Sequence, residues 1–349
     1  MKLMNILIFF IFISTSTFSQ EPDKIVQIFK ESTVLVTVYN DDGKEQWSGT
    51  GIVISKKRNK FFILTNSHVS TMRDSDGNQI DPRKNNLRIY VQPHYSVLNG
   101  NSGIYSYEID DQIYWDDKSQ DFAVLLLDFQ NMINEGLEIL NTDDNTKSFV
   151  RFKQQDIPSL KPIKIGNSLN LNELDTIYCA GYPGYGSVLS TSVGNRELFI
   201  TKGEINAFIT TEEGWSQTNN YSIIYRLGVK GGMSGGPVVN SNGELIAING
   251  LTETAYTIKK TSMEKNASFV PMIISFFTGL FVDDLAEDNF EGDIIPKKSI
   301  YDFGIDIMDF VYSALDDKEY NLNRRSIFYN YLDSNSVPLE MLKEINNIE

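Results

Sequence analysis

The sequence predicts an all-β fold, and three observations support this. Short runs of β-branched and aromatic residues recur from residue 28 to about 265 and are separated by turn signals. The pair Asn242-Gly243 lies between two apolar runs, an arrangement typical of a two-residue β-hairpin. Strand patterns do not alternate with helix patterns, and there is no internal repeat or linker. These features favour a sandwich or barrel over β-α units.

Ten strands can be placed in order along the chain. They are predicted at 33–39, 47–54, 61–64, 87–91, 122–127, 176–180, 198–209, 221–227, 237–240 and 244–249. The first of them stops at the turn signal Asn40-Asp41-Asp42-Gly43. The polar stretch 70–120 is predicted to be an inserted loop that contains one or two strands.

The first residues have the pattern of a secretory signal peptide. Lys2 precedes an apolar run from Leu3 to Ile13, and small and polar residues follow up to Ser19. The run is too short to span a bilayer comfortably, so we expect no membrane span. The prediction is a signal peptide over 1–19 and a mature protein that is secreted or periplasmic.

Composition excludes several classes of function. The chain has 349 residues, 41% of them hydrophobic, which is enough for a globular core. A net charge of −15 argues against a nucleic-acid-binding protein. One cysteine excludes an intrachain disulfide and a multi-cysteine zinc site, and two histidines leave little for a metal centre. We expect no cofactor. An exported protein without disulfides is typical of bacteria.

The candidate chemistry lies in three short motifs. His68 follows the apolar strand 61–64 in Thr65-Asn66-Ser67-His68-Val69, and Asp121 begins the apolar strand 122–127. Ser234 lies in Gly231-Gly232-Met233-Ser234-Gly235-Gly236-Pro237, where glycines allow backbone N–H groups to approach a substrate carbonyl. The chain order His, Asp, Ser differs from that of subtilisin and of the α/β-hydrolases.

With these motifs the chain resembles the trypsin-like (chymotrypsin-fold) serine proteases, in particular their disulfide-free bacterial members. Further matching stretches are Ser48-Gly49-Thr50-Gly51, Gly181-Tyr182-Pro183-Gly184 and Gly243-Glu244-Leu245-Ile246-Ala247-Ile248-Asn249-Gly250. The resemblance implies two six-stranded antiparallel β-barrels with the active site between them. The first barrel would cover about 28–130 and the second about 160–265, within a protease domain of residues 20–282.

The resemblance also implies a role for each residue of the site. His68 would be the general base, Asp121 would orient its imidazole, and Ser234 would be the nucleophile. The backbone N–H groups of Gly232 and Ser234 would form the oxyanion hole. Met233 stands where the digestive enzymes have an acid that pairs with a freshly cut N-terminus, so we expect activation without such a cleavage.

The substrate pocket is less well specified. The resemblance places its wall and base near 225–230 and 249–251, with Gly228, Lys230, Asn249 and Gly250 as candidate pocket residues. Gly228 brings no negative charge, and we expect a preference for small or uncharged apolar side chains over basic or acidic ones. Arg226 and Lys230 favour an acidic residue only if they face the pocket.

Other features have simpler interpretations that compete with functional ones. The segment Asp74 to Asp81 is either an acidic turn or a calcium loop, although Met72 occupies its first ligand position. The apolar stretch 269–281 is too short for a membrane span and is interpreted as core. His94 is interpreted as a surface residue, and Cys179 as a buried core residue.

Composition shifts after residue 282. Residues 283–349 hold sixteen acidic and six basic residues, and Ser299-Ile300-Tyr301-Asp302 resembles a helix capping box. Apolar residues then follow helical spacing from Ile300 to Ala314. The prediction is an acidic α-helical extension over 283–349 that either docks a partner protein or covers the cleft.

The functional prediction is an exported serine endopeptidase that cleaves proteins or peptides through a Ser-His-Asp triad and an acyl-enzyme. The alternative is a catalytically silent protease-fold module that binds peptides or a partner protein. The complete set His68, Asp121 and Ser234 favours the enzyme.

Overall fold

A computed structural model describes ten segments of the chain. They are residues 20–73, 79–98, 100–114, 121–141, 147–184, 196–208, 221–252, 256–258, 294–296 and 302–315. The predicted signal peptide 1–19, the apolar stretch 269–281 and residues 74–78 of the acidic turn lie outside them. No helix in these segments is long and apolar enough to cross a membrane.

The described chain opens with a helix that the sequence did not predict. Helix α1 (Gln20–Ser32) buries Ile25 and Phe29, which are four residues apart and therefore lie on one face. This face packs into a hydrophobic core that includes residues of both barrels. The helix thus belongs to the globular body.

The first half of the chain forms a large curled sheet. Its elements are β1 (Thr33–Tyr39), β2 (Glu45–Lys57), β3 (Lys60–Thr65), α2 (Ser67–Ser70), β4 (Met72–Arg73), β5 (Gln79–Ile80), a 3-10 turn (Pro82–Asn85), β6 (Arg88–Pro93), β7 (Ser96–Leu98), β8 (Asn101–Gly103), β9 (Tyr105–Glu108), β10 (Asp111–Tyr114), β11 (Ala123–Asp128), α3 (Phe129–Glu135), β12 (Leu137–Asn141) and β13 (Lys147–Val150). Nine of the strands pair in the order β10-β11-β3-β2-β1-β6-β9-β12-β13. In β1, the alternate residues Val34, Val36 and Val38 enter the core of this sheet.

The predicted two-barrel architecture is confirmed, with the first barrel present as a curled half-barrel sheet of nine strands instead of six, and β12 and β13 extend it beyond residue 130. The prediction for the polar insert is corrected. The described part of the polar stretch 70–120 contains seven short strands, of which β6, β9 and β10 join the main sheet. Short polar strands carry too few apolar residues to stand out in a sequence.

The second half forms a closed six-stranded barrel. Its elements are two 3-10 turns (Gln154–Asp156 and Ser168–Asn170), β14 (Thr176–Gly181), β15 (Phe199–Phe208), β16 (Tyr221–Arg226), β17 (Pro237–Asn240), β18 (Leu245–Thr252), β19 (Tyr256–Ile258), β20 (Ile294–Pro296), β21 (Asp302–Asp306) and α4 (Ile307–Leu315). The barrel order is β14-β15-β16-β21-β18-β17. The hairpin predicted at Asn242-Gly243 joins β17 to β18, but its loop is longer than the two residues predicted: the Gly243 N–H donates to the carbonyl oxygen of Asn240, and of the two residues only Gly243 has a positive φ, +81°.

The prediction for the C-terminal segment is corrected as well. Residues 302–306 form β21, which pairs with both β16 and β18 and closes the barrel. The helix begins at Ile307, not near Ile300. The boundary at residue 282 therefore separates the second barrel from one of its own strands. The predicted helix started too early because the apolar residues of β21 happen to continue the helical spacing of α4.

The two halves share a core. Apolar residues of α1, the first sheet, the barrel and α4 form one cluster that includes Phe29, Phe122, Tyr221 and Phe310. Phe122 and Phe310 contact each other edge to face, with ring centroids 5.4 Å apart. Phe122 follows directly after Asp121, so this packing fixes the chain beside a candidate site residue.

Candidate active site

His68 and Asp121 are brought together by the pairing of β3 with β11. In this antiparallel pair Thr65 lies opposite Ala123, so Ser67, two residues after Thr65, lies near Asp121, two residues before Ala123. The single turn of α2 then places the His68 imidazole beside the carboxyl group, with Nδ1 at 2.7 Å from Oδ2. Residues 53 positions apart in sequence thereby form one unit.

The Asp121 carboxylate is fully buried and is held by four hydrogen-bond donors. Oδ1 accepts from the Ser67 hydroxyl at 2.7 Å and from the His68 backbone N–H at 3.0 Å. Oδ2 accepts from the Tyr221 hydroxyl at 2.5 Å in addition to its contact with His68. Burial alone would raise the pKa of Asp121, but the charge of His68 and these hydrogen bonds outweigh it and lower that pKa.

The loop that carries Ser234 depends on glycine at two positions. Gly232 has φ +91°, and a Cβ there would lie 2.4 Å from the backbone nitrogen of Gly184. Gly235 has φ +83°, and its Cβ would lie 2.1 Å from the carbonyl oxygen of Thr50. Any other side chain would displace the backbone around Ser234.

Strand β2 of the first sheet ties this loop to the histidine. The Thr50 N–H donates to the carbonyl oxygen of Ser234 at 2.7 Å, and the Thr50 hydroxyl donates to that of Gly232 at 2.9 Å. The carbonyl of Thr50 accepts from the hydroxyl of Thr65, which lies three residues before His68. Through Thr50 the two halves of the candidate site share one hydrogen-bonded frame, which explains the Ser48-Gly49-Thr50-Gly51 motif.

The polar groups of the Ser234 loop have distinct partners. The Ser234 hydroxyl donates to the carbonyl oxygen of Gly250 at 3.1 Å. Within the described segments, the backbone N–H groups of Gly232 and Ser234 donate to no protein acceptor. Two backbone donors on one short loop that lack an internal partner are what an oxyanion hole requires. The side chain of Met233 is buried in the barrel core. Apolar packing therefore anchors the loop at the position where the digestive enzymes have an acid that pairs with an N-terminus.

The predicted pocket residues have different environments. Gly228 is exposed and has φ +64°, whereas the Lys230 ammonium lies 4.0 Å from the ring centroid of Phe199. The prediction that Asn249 lines the pocket is corrected. Its side chain is buried, donates to the carbonyl of Met233 and accepts from the Tyr225 hydroxyl. It supports the Ser234 loop and does not face a pocket.

Sequence reasoning missed two residues of the site. Tyr221, on β16, reaches Asp121 across the interface between the two halves. Asp302, on β21, accepts from the backbone N–H groups of Leu227, Gly228 and Val229. The alternation of β16 indicates that Tyr221 points inward, but a sequence pattern does not show which group a buried hydroxyl meets.

The remaining candidates lie apart from this arrangement. His94 follows β6 and is half-buried, and burial together with the charge of Lys30 lowers its pKa. Cys179 is buried as predicted, and burial raises the pKa of its thiol. In the described part of the chain no group of acidic, histidine or cysteine side chains is arranged to hold a metal ion.

The fold and the site define a class of protein. A closed six-stranded barrel beside a curled β-sheet, with His68, Asp121 and Ser234 at their junction, is a chymotrypsin-like double-barrel architecture. The family model of the trypsin-like peptidase domain matches residues 49–248. The chain therefore belongs to the trypsin-like peptidase family.

Among curated proteins, none matches the chain significantly. Among solved structures, one match is the crystal structure of Deg5, with 20% sequence identity and a TM-score of 0.42. That match covers 67% of this chain and 87% of the other.

Proposed function

We propose that this protein is an exported serine endopeptidase that uses Ser234, His68 and Asp121 as its catalytic triad. The observation that carries the proposal is the buried Asp121 carboxylate bonded to His68 Nδ1 at 2.7 Å, in the same frame as the Ser234 loop. Membership of a peptidase family supports peptide or protein substrates. Residues 1–19, with their secretory pattern, support export.

Each group has a defined part in the proposed reaction. As the Ser234 oxygen attacks the scissile carbonyl carbon, its proton passes to Nε2 of His68, and Asp121 stabilises the imidazolium that forms. The N–H groups of Gly232 and Ser234 bind the negatively charged oxygen, at about 3–4 kcal/mol per donor. His68 then protonates the leaving amine, and water hydrolyses the Ser234 ester by the same steps in reverse.

The Ser234 hydroxyl has one proton, and in this conformation it is directed at the carbonyl of Gly250. The proposed reaction therefore includes a rotation about the Ser234 side-chain bond that moves the hydroxyl towards His68. A rotation from one staggered position to another takes picoseconds to nanoseconds, so it adds little to the barrier. The carbonyl of Gly250 is then free to accept a substrate N–H group.

Substrate preference follows from the charges near Gly228. The carboxylate of Asp302 lies behind the backbone of residues 227–229 and is engaged by their N–H groups, and the Lys230 ammonium lies over Phe199. These contacts therefore direct neither the Asp302 carboxylate nor the Lys230 ammonium towards a substrate. We propose a preference for small or uncharged apolar side chains, which a peptide library dominated by basic or acidic residues would contradict.

A fluorophosphonate probe tests the central proposal on the protein from residue 20 to 349. The unaltered protein should be labelled at Ser234, as shown by mass spectrometry of the labelled peptide, and Ser234→Ala should not be labelled. Pre-steady-state hydrolysis of an activated ester should show a burst from acyl-enzyme formation. If the folded, unaltered protein is not labelled but still binds peptides, the silent-module alternative replaces the enzyme.

A further inference from the structure

The Tyr221 hydroxyl is the feature of this site that the proposed triad does not use. It lies 2.5 Å from Oδ2 of Asp121, the same oxygen that faces His68 Nδ1. Tyr221 is 1% exposed and Asp121 is 0% exposed, so water does not compete for this contact. Burial and the neighbouring charge of Asp121 hold the pKa of Tyr221 well above its usual value, which keeps the hydroxyl protonated and able to donate.

The chain makes room for this contact at Gly250. A Cβ on Gly250 would lie 2.2 Å from both the Cε1 and the hydroxyl oxygen of Tyr221. An alanine at residue 250 would thus occupy the path by which the tyrosine ring reaches Asp121. The backbone of Gly250 also accepts from Ser234, so the ring packs at the point where the serine and the aspartate meet.

We propose that Tyr221 is a positioning residue of the catalytic site, which donates to the Asp121 carboxylate from the second barrel and fixes its orientation towards His68. The remaining donors to Asp121, Ser67 and His68, both lie in α2, which follows β3 of the first sheet. Tyr221 is therefore the direct link from the second barrel to the acid of the triad, through an opening that Gly250 provides. This inference rests on the proposed function.

The hydrogen bond from Tyr221 also acts on His68 through the charge of Asp121. A donor at Oδ2 withdraws part of the negative charge that stabilises the imidazolium. Removing the hydroxyl leaves more of this charge for His68, so the imidazole should then hold its proton to a higher pH. The ionisable side chains that face the Tyr221 hydroxyl are Asp121, its partner His68, and Tyr225 on the same strand.

The decisive variant is Tyr221→Phe, which removes one oxygen and keeps the ring beside Gly250. We expect kcat for a peptide substrate to fall about tenfold, or about 1.4 kcal/mol of activation free energy, with KM unchanged. The midpoint of the acid limb of the pH profile of kcat/KM should move to higher pH. The matched control is Tyr107→Phe, which removes an equally buried hydroxyl in the core of the first sheet and should change neither quantity.

A second measurement does not depend on activity. The chain has two histidines, so the imidazole C–H signals of His68 can be assigned in NMR spectra by comparison with His94→Gln. His68 should titrate at a higher pH in Tyr221→Phe than in the unaltered protein. Gly250→Ala should give the same direction of change, because the added Cβ displaces the Tyr221 ring. This variant serves as the test if Tyr221→Phe does not fold.

The outcomes separate this inference from the proposed function. If the unaltered protein is not labelled by the fluorophosphonate probe, the proposed function fails, while the NMR titration still tests the link from Tyr221 to His68. If the protein is labelled and Tyr221→Phe matches Tyr107→Phe in kcat, pH profile and His68 titration, the positioning role of Tyr221 is overturned. A loss of thermal stability alone, without a shift in the titration, would also overturn it.

Discussion

Replacing Asp302 should weaken the second barrel and its candidate pocket wall together. One oxygen of this 2% exposed carboxylate accepts from Gly228 at 2.8 Å, Leu227 at 3.0 Å and Val229 at 3.4 Å. These three residues belong to the segment 225–230 that is predicted to line the pocket. Asp302 is the first residue of β21, so this strand holds the backbone of residues 227–229 in place.

The size of the effect follows from the exposure of each N–H group. In Asp302→Ala, Leu227 and Val229 are 4% and 6% exposed, so their N–H groups would lose an acceptor without gaining water. Gly228 is exposed and its N–H can be solvated. A buried unsatisfied donor costs about 1–3 kcal/mol, and the 3.4 Å bond of Val229 is the weaker one, so we expect about 2–4 kcal/mol in total. Asp302→Asn keeps one acceptor oxygen and should cost about 1 kcal/mol.

Thermal unfolding followed by circular dichroism measures these differences. At about 2–4 °C per kcal/mol, Asp302→Ala should lower Tm by roughly 5–15 °C and Asp302→Asn by a few degrees. Below the unfolding range, Asp302→Ala should also raise KM for peptide substrates, because residues 227–229 are no longer held. Equal Tm values for the two variants, or an unchanged KM in Asp302→Ala, would refute the reasoning.

Two further predictions concern charges in the interior. Burial and the charge of Asp306 raise the pKa of Asp309 to about 6, above its value in the unfolded chain. Ionisation of Asp309 therefore destabilises the fold above that pH, and this effect disappears as the pH falls towards about 4. Asp309→Asn should therefore raise Tm at about pH 7.5 but not at about pH 4, and an equal change at both would contradict this. Arg196 and Glu45 form an ion pair with side chains only 1% and 8% exposed, so Glu45→Gln should reduce the free energy of urea unfolding by about 3–5 kcal/mol. The control is the more exposed ion pair of Arg88 and Glu108, for which Glu108→Gln should reduce the free energy of urea unfolding by less than about 1 kcal/mol.

Local patterns were sufficient for most of the strands and for the three motifs of the site. Ten predicted strands correspond to strands of the structure, because alternating or continuous apolar runs bounded by turns depend on neighbouring residues alone. The glycines around Ser234 were recognisable for the same reason, since a positive φ at Gly232 and Gly235 is a local requirement. The helix α1 was not predicted because its apolar face, with Ile25 and Phe29, is short.

Contacts between distant segments could not be read in this way. The strand β21 looked like part of a helix, since its apolar residues have a spacing that both structures allow, and only the gap between β16 and β18 selects a strand. The prediction for Asn249 is wrong because a position in a motif does not show the direction of a side chain, which here is decided by contacts with Tyr225 and Met233.

The sequence by itself determined that this chain is rich in strands and carries His68, Asp121 and Ser234 in motifs of the trypsin-like family. It did so because residue type and local spacing are written directly in the chain. The tertiary structure alone decided that β21 closes the second barrel and that the Tyr221 hydroxyl meets Asp121 through the space left at Gly250. These contacts join residues about 50 to 100 positions apart, or depend on the absence of a single Cβ atom, and only the folded chain brings such groups within hydrogen-bonding distance.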